Sequence, residues 1–271
     1  MKHIIDKANR AWLLLRKHIY QYFRDGGKEG QIRVFVAGMQ RSGTNLLMDV
    51  LEESMESDVF HERDPRAFDN YQMRDPAEIQ RLVDASRARL FVIKALCELQ
   101  ELSSLMETFS PAKTVWIVRD YNDVVNSMLH SFGNMAKQVQ RIARDRNSSG
   151  WLGMGMSDRT HEIVRSLVSD SLDDATASAL QWYFRNMLFF DQSFDSDRRV
   201  LLIRYEELVS HPVEEFEKIY KFAGIRFSRG VVRKVSPRSI GKHPRPDIDP
   251  AVRGLCDELL HRFHSLTDAG N

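Results

Sequence analysis

Val34-Phe35-Val36-Ala37-Gly38-Met39-Gln40-Arg41-Ser42-Gly43-Thr44-Asn45 joins an apolar run to a glycine-bracketed turn, and Leu46, Leu47, Val50 and Leu51 follow at helical spacing. The run reads as a buried strand and the leucines as a helix, so the turn connects the two directly. Such a turn aims backbone N–H groups and the positive end of a helix dipole at one point, and that point binds a phosphate. Arg41 adds a fixed cation with bidentate geometry, and Ser42 and Thr44 add hydroxyl donors. A nucleoside triphosphate loop would carry Gly-Lys-Ser/Thr, the lysine reaching the terminal phosphates. Here Thr44 follows Gly43 directly, so ATP or GTP chemistry becomes the second reading.

Outward from this stretch, the short β-rich runs 90–93, 114–118 and 200–203 alternate with helical patterns. Near-continuous apolar strands separated by helices predict an α/β three-layer sandwich with a central parallel sheet covered on both faces. Asp75-Pro76 with Glu78 predicts a helix start with an N-cap and capping box, and Pro212 with Glu214 and Glu215 predicts another. Residues 144–157, rich in Gly, Ser and Asn, predict a loop near the rim of the site.

At 271 residues and 42% hydrophobic composition the chain can bury one large core. Its Lys and Arg total 39 against 38 Asp and Glu, so no overall field recruits nucleic acid or an anionic membrane, and any anion site must be local. Cys97 and Cys256 lie in apolar or amphipathic stretches and are spaced neither as metal ligands nor as a disulfide framework. Nine scattered histidines offer no metal set, so none is expected. Near the N-terminus, Ile5, Ala8, Trp12, Leu15, Ile19 and Phe23 predict an amphipathic helix that ends at Gly26-Gly27. Charges interrupt its apolar runs, so it reads neither as a signal peptide nor as a membrane span, and a cytoplasmic location is the expectation. Packing against the chain's own core is preferred for this helix over contact with a membrane surface. The expected organisation is a helical segment over residues 1–30 and a single domain over 31–271.

A second anion motif follows the strand at 114–118. Arg119 stands at its carboxyl end, where open α/β sheets bind ligands, and Ser127 lies about two helical turns further on. Both can touch one phosphate only if the chain turns back at Tyr121-Asn122.

The run Arg41-Ser42-Gly43-Thr44 resembles the 5′-phosphosulfate loop of sulfotransferases, chiefly the carbohydrate and protein-tyrosine branches, and Val118-Arg119-Asp120 through Ser127 resembles their 3′-phosphate motif. Tyr205-Glu206-Glu207-Leu208 looks like a third segment of the family, whose tyrosine borders the adenine. Over residues 130–180 nothing matches. The resemblance implies a P-loop nucleotide-hydrolase-like fold and a sulfotransferase with 3′-phosphoadenosine 5′-phosphosulfate (PAPS) as co-substrate and no metal. It implies donor contacts from Gly38, Arg41, Ser42, Gly43, Thr44, Asn45, Arg119, Ser127 and Tyr205, and from Arg238, Ser239 and Lys242 in a basic loop that closes over the phosphates.

Sulfuryl transfer spreads charge over equatorial oxygens and onto the leaving phosphate, so cations and positioning do most of the work. Arg41 is assigned to the leaving phosphate and Lys94, after the run 90–93, to the sulfuryl group. The acceptor, a hydroxyl or an amine, must lose a proton. The small-molecule branch takes it with a histidine two residues past the lysine, where this chain has Leu96. Glu62 is the expected base by resemblance to the protein-tyrosine branch, with Arg41, Arg63 and Arg66 expected to favour its ionised form, and His61 is the rival. Residues 63–71, charged and aromatic, are expected to shape an acceptor pocket. The acceptor class stays open between glycan, peptide tyrosine, lipid and metabolite. The rival functions are a kinase or hydrolase with a degenerate Walker loop and a non-catalytic nucleotide-binding scaffold.

Overall fold

Along the inner strands, odd and even residues part to opposite sides of one sheet. The protein is seen in a computed structural model that describes residues 2–23 and 30–269. In chain order the elements begin α1 (Lys2–Phe23), β1 (Ile32–Ala37), α2 (Thr44–Glu52), β2 (Ser57–Phe60), β3 (Phe68–Asp69), β4 (Gln72–Met73), α3 (Pro76–Ala85) and β5 (Leu90–Ala95). There follow α4 (Leu102–Thr108), β6 (Ala112–Val118), α5 (Tyr121–Ser131), α6 (Met135–Arg144), α7 (Asp158–Leu167) and α8 (Asp174–Asp191). The chain continues through β7 (Val200–Arg204), α9 (Tyr205–Ser210), α10 (Pro212–Ala223) and α11 (Pro250–Ala269).

The main sheet runs β2-β5-β1-β6-β7, with every pairing parallel. Phe35, Phe91, Ile93 and Trp116 face one core with residues of α3 to α8 and α11, while Val34, Val36, Val92, Val115 and Ile117 face the other with α2, α9 and α10. This is the expected three-layer α/β sandwich. From β1 the chain crosses first toward β2 and β5 and later toward β6 and β7. A switch of direction of this kind opens a crevice at the carboxyl ends of the strands.

Several boundaries differ from expectation. The third strand of the main sheet extends past Ile93 to Ala95, which puts Lys94 inside β5 rather than after it. The edge strand β2 was not foreseen, because Ser57-Asp58-Val59-Phe60 is short and half polar. The segment read as loop over 63–71 holds β3, paired to β4 as a small antiparallel hairpin. Asp75 precedes α3 with Pro76 in its first turn, but its side chain makes no capping hydrogen bond. Residues 130–180, where no motif was found, supply α6, α7 and the start of α8, which pack on the first core.

The N-terminal helix departs most. It forms as predicted, although Gly26-Gly27 and the side chains of Ile5 and Ala8 lie outside the described residues. Its apolar stripe does not pack on the core: Trp12 is 62% exposed and Phe23 80%, and Leu15 and Ile19 are about half exposed. The side turned inward carries Lys17 instead, only 2% exposed, with Leu13, Tyr20 and Gln21 half-buried beside it. Lys17 and Gln21 find backbone acceptors around the end of α2 and the start of β2, which is why the helix lies this way round.

Candidate active site

Gly38 opens the turn after β1 because β1 and β6 approach too closely there for a side chain. A Cβ would meet the Ile117 carbonyl oxygen at 2.4 Å, and φ is 142°. Gly43 ends the turn with φ 101°, and a Cβ on it would stand 2.3 Å from the Tyr205 ring. Between them Arg41 adopts φ 69°, a left-handed conformation uncommon for a residue with a side chain. Ser42 N donates to Met39 O across the turn, and the first bond of α2 runs from Leu47 N to Gly43 O. Thr44, Asn45 and Leu46 therefore present the N–H groups that a helix start leaves without an intrahelical acceptor.

Arg119, at the end of β6, folds over this turn. Its Nη1 donates to Arg41 O at 3.3 Å and its Nη2 to Ser239 O at 2.7 Å, with Asp123 Oδ2 at 3.2 Å. Its guanidinium stacks 4.4 Å above the Tyr205 ring, whose hydroxyl meets Ser239 Oγ at 2.6 Å. Asp120 caps α5 by accepting from Asn122 N at 2.8 Å, so the helix starts at once. That early start brings Ser127 back to the turn, where Ser127 Oγ accepts from Arg41 Nε at 2.8 Å. The two runs expected to bind phosphate thus meet at Arg41. Arg119 Nε and Ser42 Oγ are buried and have no hydrogen-bond partner among the described residues. A buried donor left unmade costs about 1–3 kcal/mol, and a polyanionic ligand seated here is the chemistry that suits this donor-rich wall.

Lys94 projects from β5 into the same space and is 2% exposed. Its Nζ donates to Asn45 Oδ1 at 2.7 Å and pairs with Glu62 Oε2 at 2.5 Å. Burial pulls its pKa below the ordinary lysine value, and the Glu62 carboxylate opposes that fall. Of the arginines expected to act on Glu62, Arg41 and Arg63 line the same cleft, Arg63 6.0 Å from the Tyr71 ring centre, whereas Arg66 is bidentate to Asp64. His61 turns away, toward Asp49 at 4.0 Å and Glu52 at 3.5 Å on α2, and does not line the cleft.

These side chains bound a cleft of about 530 Å³. One wall is Arg41, Gly43, Thr44, Asn45, Arg119 and Ser127, and Lys94 and Glu62 stand between the walls. The other is Arg63, Asn70, Tyr71, Leu96, Cys97, Phe132 and Trp151. Gly38, Ser42, Tyr205 and Ser239 lie behind the first wall, and Arg238 and Lys242 are exposed on the adjoining loop. That loop is tied in place by Gly241 N, which donates to the Asp123 carboxylate.

The second wall is where sequence reading missed most. Asn70 and Tyr71, both at positive φ, form the two-residue turn between β3 and β4. Cys97 Sγ donates to Tyr71 O at 3.4 Å, and Glu98 accepts from Met73 N at 2.6 Å, which fixes the hairpin to the end of β5. Arg185 on α8 is fully buried, and it donates to Trp151 O at 2.9 Å and Leu96 O at 3.1 Å. Desolvation lowers its pKa to about 10. An arginine within the apolar run Trp182 to Leu188 was the available signal. Phe132, at the end of α5, carried none. Among the described residues no group of three or more His, Cys, Asp or Glu is placed to hold a metal ion, and no helix is long and apolar enough to cross a membrane.

The sulfotransferase domain family matches residues 31–246 of this chain. The fold is similar to the sulfotransferase domain of the Synechococcus PCC 7002 olefin synthase, with TM-score 0.52 and 15% identity, covering 86% of this chain and 94% of that one. It is also similar to a sulfotransferase from Mycobacterium avium, with TM-score 0.50 and 14% identity over 92% of this chain and 81% of that one. No curated protein matches the sequence.

Proposed function

The chain belongs to the sulfotransferase domain family and transfers a sulfuryl group from PAPS to an acceptor, and on that premise we propose which residues do the work. The 5′-phosphosulfate lies on the turn at Arg41, with the amides of Gly43 to Asn45, Ser42 and the Thr44 hydroxyl around it. Arg119 and Ser127 take the 3′-phosphate. Tyr205 borders the base, and Ser239, with Arg238 and Lys242 beside it, closes the phosphate side. The observation that carries this reading is the meeting of the two motifs: Arg119 reaches Arg41 O at 3.3 Å and Ser127 reaches Arg41 Nε at 2.8 Å, close enough for one doubly phosphorylated nucleotide to span both. Kinase, hydrolase and scaffold readings give way to the family's chemistry.

Lys94 has three N–H donors, of which Asn45 and Glu62 occupy two, leaving one direction for a sulfuryl oxygen. Glu62 takes the acceptor proton as the acceptor oxygen bonds to sulfur. The sulfur–oxygen bond to the 5′-phosphate breaks, and Arg41 meets the charge that develops there. Glu62 is favoured over His61 because Glu62 lines the cleft and contacts the same lysine. Residues 31–271 are read as one catalytic unit. The two free buried thiols, Cys97 and Cys256, suit a reducing compartment such as the cytoplasm.

Two measurements test this. A hundredfold excess of 3′,5′-bisphosphoadenosine over its Kd stabilises the fold by about 2.7 kcal/mol, which raises Tm by roughly 5 °C or more, while ATP with magnesium gives a smaller shift. Equal shifts would argue against the 3′-phosphate site. In Glu62→Gln the bisphosphate shift persists while turnover falls roughly 100-fold or more, and His61→Ala stays near wild type. The opposite pattern moves the base to His61.

A further inference from the structure

Six large apolar side chains of α1 are exposed, Trp12, Leu14, Leu15, Ile19, Tyr22 and Phe23, and all but Leu14, which falls on the Gln21 side, share one face remote in sequence from the cleft-lining residues. At 3.6 residues per turn, Trp12, Leu15, Ile19 and Phe23 form one stripe, and Lys17 and Gln21 point the opposite way. It is the Lys17 side that holds the helix to the body. Lys17 Nζ donates to Glu52 O at 2.8 Å and Ser57 Oγ at 3.3 Å, and Gln21 Nε2 donates to Met55 O at 3.1 Å and Ser57 O at 3.3 Å. A helix serving only its own core would present its faces the other way round. The polar anchor instead aims the apolar stripe outward.

Charge says what meets it. Residues 1–24 hold six Lys and Arg against a single acidic residue, Asp6, while the whole chain holds 39 against 38, so the remainder of the protein is net acidic. Arg16 and His18 are exposed on either flank of the stripe. Arg87, on the neighbouring loop, lies 4.8 Å over the Tyr22 ring and adds a cation at its edge. Trp, Tyr and Phe on an apolar stripe with cations along its margins suit the boundary between lipid headgroups and acyl chains. A second copy of α1 laid on the stripe would bring two basic segments together, whereas anionic lipid neutralises them. We propose that the outward face of α1 docks the enzyme on an anionic membrane surface, the helix lying in the bilayer plane with Trp12, Leu15, Ile19 and Phe23 below the headgroups. This docking is independent of the residue roles assigned in the cleft.

The full chain is sedimented with vesicles of phosphatidylglycerol and phosphatidylcholine, and with phosphatidylcholine alone. Binding is expected on the anionic vesicles, weaker in high salt, and at least about tenfold weaker for Leu15→Ser/Ile19→Ser, since each large side chain contributes roughly that factor or more. Lipids brominated on the acyl chain quench the bound protein, and Trp12→Phe keeps binding while losing most of that quenching. The thermal shift with 3′,5′-bisphosphoadenosine stays unchanged in these variants, which separates a lost surface from a lost fold or a lost nucleotide site. Equal vesicle binding by Leu15→Ser/Ile19→Ser, or none by the parent chain, overturns the proposal. A concentration-dependent dimer abolished by the same pair overturns it in favour of a second copy.

Discussion

The two walls of the cleft are built in different ways. The wall proposed for the donor comes from two contiguous runs, 38–45 and 119–127, each a strand end followed at once by a helix. Much of its grip is main chain, and a few local contacts set its shape: Gly38 against Ile117, Gly43 against Tyr205, Arg41 against Ser127. The other wall, which that proposal leaves to the acceptor, is assembled from a hairpin turn, the end of β5, the end of α5 and a short turn at Trp151. Arg185 and Glu98 hold those pieces together from behind, and Cys97 ties the hairpin turn from within the wall. A ligand of fixed chemistry is served by a local code, whereas the partner that defines each enzyme's task is met by side chains that only the tertiary fold unites.

The largest effect that could break this division is at Arg41, because the proposed function sets its charge where the leaving phosphate develops. Arg41→Met is expected to lower kcat by roughly 100- to 1000-fold, as removal of an oxyanion donor does elsewhere. A variant that changes only the acceptor KM would put Arg41 on the wrong wall. Next comes Arg119→Ala, for which the Kd of 3′,5′-bisphosphoadenosine rises about 10- to 100-fold, the usual worth of a charge-assisted hydrogen bond. Adenosine 5′-monophosphate, lacking the 3′-phosphate, serves as the comparison, and calorimetry should find its affinity little changed. Equal losses for both nucleotides would mean that Arg119 only supports the fold around Arg41 and Tyr205.

The same division explains what could be read before the fold was known. The two runs that meet at Arg41, four of the five main strands and the pairing of strand with helix are legible, since each depends on neighbours in sequence. Lys94 was found, but not its position within β5, because a lysine in an apolar run marks a strand end as readily as a buried ion pair. The ion pair of Glu62 is not legible for a similar reason: sequence offers Arg41, Arg63 and Arg66, and the fold turns Arg66 to Asp64 and brings Lys94 across from another strand. Periodicity identified α1 but not the side that faces the protein. Lys17 is an ordinary surface residue by type and becomes an anchor only because the end of α2 offers it a carbonyl.

A smaller effect sharpens the acceptor side. Phe132 is 44% exposed at the mouth of the cleft, and Trp151 is half-buried beneath the stacked guanidinium of Arg185. Removing either ring is expected to raise the acceptor KM roughly tenfold by loss of apolar contact while the donor KM stays within about twofold. A matching rise in donor KM would show the walls to be energetically coupled and the division artificial.

The smallest effect tests whether Cys97 belongs to the wall as structure or as chemistry. Its thiol lines the cleft beside Lys94, a setting in which a cysteine can be activated. Here burial dominates: desolvation, reinforced by the Glu98 carboxylate, pushes its pKa up to about 12. The thiol form therefore persists through neutral pH, where it donates to Tyr71 O and holds the hairpin turn. Cys97→Ser keeps a donor of similar size and should change turnover by no more than about twofold, within the range expected for a neutral contact. Alkylation of the native protein should go on rising with pH past 10, where an ordinary thiol of pKa about 8.5 has already levelled off. A plateau near pH 9 at this residue would mean that Lys94 outweighs burial, and Cys97 would then move from the frame of the acceptor wall into its reactive surface.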